Sequence, residues 1–115
     1  IVCTEVLEHI ERDLDVIRLW KPGSLCFCTV PNFDYKTHVR FFRHESEVYA
    51  RFGHLIDIDM MIRVSRPIFR GKTASRFVRD IRWSRNNPKK VLGMMGINTF
   101  DWYAGWFLFV GRRRA

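Results

Sequence analysis

The first thirty-two residues fix the topology more tightly than any other part of the chain. Ile1 to Thr4 is an apolar run without alternation. From Glu5, the apolar residues Val6, Leu7, Ile10, Leu14 and Ile17 recur at three- and four-residue spacing, so an amphipathic helix is expected to about Leu19. Lys21-Pro22-Gly23 stops it, because proline lacks the helical donor and glycine accepts a left-handed turn. Ser24 to Val30 follows as a run of β-formers apolar enough to be buried on both faces. Strand, helix and strand in that order predict a right-handed parallel crossover, and hence an α/β fold.

The remainder continues the alternation. After Pro31 a polar loop, Asn32 to Lys36, leads into a helical pattern from His38 to about Phe52, with Val39, Phe42, Val48 and Phe52 as its packing residues. Residues Ile56 to Val64 alternate apolar and polar, the period of a half-buried strand. Thr73 to Arg85 reads as a basic helix, Lys89 to Met95 as a short one, and Trp102 to Gly111 as a final strand with a solvated basic tip, Arg112 to Arg114. The whole, residues 1–115, is expected to form a single partial domain with a basic helical insert over 66–100.

At 115 residues with 47% hydrophobic and 15% aromatic content, the chain can bury a modest core and is not a disordered tail. No apolar run approaches the length needed to span a bilayer as a helix, so no membrane partner is expected. Cys3, Cys26 and Cys28 sit in apolar runs and are odd in number, which suits reduced core thiols in a cytoplasmic protein. Net charge is +8, and the segment Arg63 to Lys90 holds ten basic residues against Asp80 alone, which accounts for the whole excess. Three readings of that segment stand together: a solvated face paired to acids elsewhere, a cover for a pocket that takes an anionic substrate, or a surface for nucleic-acid phosphates.

The segments Ile1-Val2-Cys3-Thr4-Glu5-Val6-Leu7-Glu8-His9-Ile10 and Leu19-Trp20-Lys21-Pro22-Gly23, followed by a strand ending in Pro31-Asn32, resemble the second half of a class I S-adenosylmethionine-dependent methyltransferase. Trp106 to Arg112 is similar to that family's last strand. The resemblance implies the C-terminal half of a Rossmann-like sheet, with parallel strands, an antiparallel last strand beside the second, and flanking helices. The family's glycine-rich cofactor loop and ribose-holding acid are expected upstream of Ile1. The chain is accordingly expected to be a fragment, inactive or nearly so alone, with an open edge at its first strand through which it could form a homodimer.

In open α/β sheets ligands bind outside the carboxyl ends of parallel strands. The resemblance then puts Cys3, Thr4 and Glu5 beside the methionine end of S-adenosylmethionine, and Pro31, Asn32 and Phe33 toward the methyl acceptor, a small molecule or a nucleic acid. Thr4 is also expected to cap the helix and Glu5 to favour its positive end. His38, in a Thr37-His38-Val39-Arg40-Phe41-Phe42 stretch similar to one in many family members, is the candidate catalytic base, weighed against a capping or packing role. Methyl transfer is an in-line displacement at an activated sulfonium, so the protein mainly supplies alignment and exclusion of water.

Glu5, Glu8 and His9 share one face of an expected helix, where two carboxylates and an imidazole could meet a divalent cation. Two methyltransferase groups use the pattern that way, and many other family members carry it with no metal. No metal is expected; were one held, His38, with His44 behind it, would complete the set. The alternative to an enzyme is a basic nucleic-acid-binding module that does no chemistry.

Overall fold

The computed structural model describes residues 1–65 and 105–115, together with Ala74, Ser75, Val78, Arg79 and Arg82. Of the helix expected at Thr73 to Arg85, the described residues Ala74, Ser75, Val78, Arg79 and Arg82 are all helical; its other residues, the helix expected at Lys89 to Met95 and the rest of the insert over 66–100 lie outside the described residues. The described part is α/β. Its strands are β1 (Val2–Cys3), β2 (Leu25–Pro31), β3 (Ile56–Ser65) and β4 (Gly105–Arg113), with helices α1 (Asp13–Arg18) and α2 (Glu45–Phe52) and a 3-10 turn at Leu7–His9.

The four strands form one open sheet in the order β1-β2-β4-β3. β1 pairs parallel with β2, while β4 runs antiparallel between β2 and β3. The last strand in sequence is thus inserted beside the second. The register carries one buried rung across the sheet, from Cys3 to Cys28 to Phe109 to Met61, and an opposite rung from Val2 to Phe27 to Val110 to Met60. Side chains of the first rung meet Leu7, Ile17, Val48 and Phe52, so both helices and the 3-10 turn cover the same face. Phe52 stacks on Phe109 at 5.5 Å between ring centroids.

Four expectations are corrected here. β2 is not buried on both faces: Cys26, Cys28 and Val30 are enclosed, whereas Leu25 is 53% exposed and Phe27 38%, because among the described residues no layer covers their side.

Second, Glu5 to Leu19 is not one helix. A 3-10 turn ends at Ile10, which takes an extended conformation, and α1 begins only at Asp13. The interruption has a visible cause. The Arg40 guanidinium donates to the carbonyls of Leu7 (2.8 Å), Ile10 (2.5 Å) and Glu11 (2.8 Å), which a continuous helix would have turned toward the amides four residues on. Thr4 therefore caps nothing: the first residue before the turn is Val6, with no side-chain cap, and Glu5 adopts a left-handed φ of 57°.

Third, the helix expected from His38 starts at Glu45. The Val39 amide donates to Glu8 O and the Phe42 amide to Pro31 O, so residues 39–42 tie the loop to the turn and to β2 instead of to each other. A capping box between His44 and Glu47 then opens α2.

Fourth, the tip Arg112 to Arg114 is solvated only in part: Arg112 and Arg114 are exposed, and Arg113 is not. Arg113 is buried and its guanidinium donates to the Ile17 and Arg18 carbonyls at the end of α1, where orphan acceptors and the helix dipole favour a cation.

The three thiols are buried and unpaired. Burial is the first cause that pushes each of them above the ordinary thiol value of 9.0, most strongly Cys28. A raised folded-state value stabilises the fold fully below the unfolded-state thiol value, and that contribution drains away as pH climbs from there toward the folded-state value. We expect the urea midpoint to be indifferent to these thiols below about pH 8 and to fall above about pH 9. Cys28→Ala should flatten that fall, and Ellman's reagent should react with no thiol of the folded chain at neutral pH. A rapid reaction under native conditions would contradict it.

Candidate functional site

β1 and β2 are parallel neighbours, so their carboxyl ends open on the same side, and two loops meet there: residues 4–10 after β1 and residues 32–44 after β2. Besides the Arg40 hydrogen bonds to Leu7 O and Ile10 O, further contacts tie the first loop to β2 and to the second loop. The Glu5 amide donates to Thr29 Oγ1 at 3.1 Å, the Val39 amide to Glu8 O at 2.8 Å, and His9 Nδ1 lies 2.8 Å from Thr37 O.

A carbonyl oxygen can only accept, so His9 Nδ1 carries a proton and donates it to Thr37. His38 repeats the arrangement, with Nδ1 3.2 Å from Phe33 O. The nitrogen left in each neutral ring for a proton or a ligand is therefore Nε2. The two rings meet edge to face with centroids 4.9 Å apart, and His38 is further enclosed by Phe33 at 5.3 Å and Tyr35 at 5.6 Å.

Beneath them lies Glu8, wholly buried. Neither of its carboxylate oxygens has a hydrogen-bond partner among the described residues. A buried carboxylate with no donor is costly to keep ionised, which makes it the least expected group in the site. One potential ligand atom from each of Glu8, His9 and His38 falls within 4.8 Å of the others.

The structure thus brings together Glu8, His9 and His38 and leaves other candidates aside. Glu5 stays exposed, next to Thr29 at 3.4 Å, and its carboxyl titrates above the usual value, first through partial burial and then through the nearby Glu8. His44 caps α2. Of the residues expected to border a cofactor, Thr4 and Glu5 are exposed at the end of β1, while Cys3 packs in the core. Of those expected to face an acceptor, Pro31 is buried in β2 and Phe33 packs edge to face on Trp106 at 5.6 Å. Asn32 closes the sheet: its Oδ1 accepts from the Gly105 amide at 2.7 Å and its own amide donates back to Gly105 O at 3.0 Å.

Sequence reasoning missed Asp13 and Arg40. Asp13 is wholly buried, with Arg51 on both its oxygens at 2.6 and 2.8 Å and Arg40 at 3.0 Å. By the same Arg40 it anchors the loop that carries His38. An acid spaced three after Ile10 and four before Ile17, on the apolar side of the expected helix, was the available signal. The basic segment from Arg63 to Lys90 lies mostly outside the described residues, and the nucleic-acid reading with it. No family model matches the chain, and no curated protein is significantly similar to it.

Proposed function

We propose that the chain is the acceptor-side portion of an S-adenosylmethionine-dependent methyltransferase with a Rossmann-like sheet. The observation that carries this reading is the strand order β1-β2-β4-β3 with β4 antiparallel, the arrangement that the resemblance of Ile1 to Asn32 implies for that half of the fold. The site supports it in a second way. The loops after two parallel neighbours converge on one cluster of polar side chains, where an open α/β sheet binds its ligands.

In this reading, the loop after β1 borders the methionine end of the cofactor, and residues 31–38 face the acceptor. The acceptor's lone pair forms the new bond to the methyl carbon as the carbon–sulfur bond breaks, and the sulfonium leaves as a neutral thioether. The chain's contribution is to hold acceptor and methyl in line and to keep water out.

Calorimetric titration of S-adenosylhomocysteine tests the proposal. We expect heat of binding with the complete product of the reading frame and none with residues 1–115 alone, in which no glycine-rich loop follows any described strand. Absence of binding by the complete product rejects the methyltransferase reading. Tight binding by residues 1–115 overturns the assignment of the cofactor's grip to sequence outside them.

A further inference from the structure

We propose that Glu8, His9 and His38 bind a divalent transition-metal ion, through a carboxylate oxygen of Glu8 and the Nε2 atoms of the two histidines. The inference does not depend on the methyltransferase reading, since it stands on the geometry of three side chains.

Three independent features converge. The first is proximity: one potential ligand atom from each of the three residues lies within 4.8 Å of the others, close enough to share one ion. The second is orientation. Metal-binding histidines characteristically give their other ring N–H to a carbonyl or carboxylate, which fixes tautomer and ring plane, and both histidines here do so, to Thr37 O and Phe33 O. Two histidines as far apart in sequence as His9 and His38 on a generic surface have no reason to be locked in the same tautomer side by side. The third is the orphaned carboxylate. Both Glu8 oxygens are buried with no donor among the described residues, and a cation between Glu8 and the imidazoles is the partner that the site lacks.

The donor set selects the class of ion. Two imidazole nitrogens and one carboxylate oxygen suit zinc, cobalt, iron(II) or manganese, whereas magnesium and calcium call for oxygen-rich shells. Three protein ligands also leave coordination positions open, the pattern of a site that binds water or substrate and not of a closed structural centre. His9 is exposed, so the open side faces solvent. The assignment excludes one role expected above: with Nε2 bound to a metal, His38 has no lone pair with which to accept a proton.

Cobalt(II) serves as the probe. After treatment with chelator and its removal, the full chain titrated with Co2+ is expected to develop visible d–d bands that saturate at a single ion per chain and are discharged by Zn2+. His9→Asn, His38→Asn and Glu8→Gln should each weaken Co2+ binding by about a hundredfold or more. His54→Asn, at an exposed histidine remote from the cluster in sequence, should bind as the parent does. Circular dichroism checks that each variant is folded; should Glu8→Gln fail to fold, the exposed His9 variant carries the test. The proposal is overturned if the parent chain shows no saturable bands, or if His9→Asn and His38→Asn keep the parent's affinity.

Discussion

Replacing Asp13 by asparagine should lower the unfolding free energy by about 3 kcal/mol, the lower end of the cost of leaving a buried ion-pair partner uncompensated. The carboxylate is fully enclosed, and it neutralises two guanidiniums, with Arg51 held at 2.6 and 2.8 Å and Arg40 at 3.0 Å. The hydrogen bond to Asp13 is the first cause that holds the Arg51 guanidinium above its ordinary value. Asparagine keeps the shape and one acceptor but removes the charge, so both arginines are left facing each other. The lower end applies because the Arg51 side chain remains 32% exposed and water shares its charge. Asp15 is the control. It too bonds two arginines, Arg12 and Arg18 at 2.6 and 2.7 Å, but on the surface, where such pairs contribute little. A urea titration should show the midpoint fall for Asp13→Asn and stay in place for Asp15→Asn. Equal midpoints for the two variants would contradict the central role given to Asp13.

Gly111→Ala should be at least as damaging, at about 3 kcal/mol or more. A Cβ at this position would lie 2.1 Å from the Asp57 carbonyl oxygen and 2.9 Å from Ile58 Cα. Those atoms are backbone, so no side chain can swing aside. Gly111 pairs with Ile58 where the β3 register shifts before Met60, which is why the two backbones approach so closely. Gly23 makes the contrast: its φ of 80° demands glycine, yet nothing lies within 4 Å of an added Cβ, so Gly23→Ala should cost only about 1 kcal/mol. Hydrogen exchange should speed up in β3 for Gly111→Ala and remain unchanged there for Gly23→Ala.

Periodicity made the strands readable. The alternation from Ile56 to Val64 became β3, the run after Gly23 became β2, and the final apolar segment became β4 with its expected antiparallel placement beside β2. Those signals are local, and so survive without knowledge of the rest of the chain. What the sequence concealed depends on partners far apart. The spacing of Leu7, Ile10, Leu14 and Ile17 is helical, but Arg40 captures the carbonyls at the middle of that stretch, and its effect cannot be read from residues 5–19. The same holds for the loop after β2, where amides that would start a helix at His38 donate to Glu8 and Pro31 instead.

The site was legible in part for the same reason. Glu8 and His9 stood out as neighbours in a pattern, and His38 as a histidine shortly after a strand end. Their meeting required the loop after β2 to fold back over the turn after β1. The expected third ligand on a helical face, Glu5, depended on a helix that does not form: with a left-handed φ, Glu5 departs from the path that would have aligned it with Glu8 and His9.

The order of the sheet has a consequence for biosynthesis. β2 and β3 are joined only through β4, which the ribosome makes after both. A nascent chain stopped short of Gly105 therefore leaves β2 and β3 each with an edge that, among the described residues, no other strand pairs. Only with residues 105–113 in place do the edges of β2 and β3 find their shared partner.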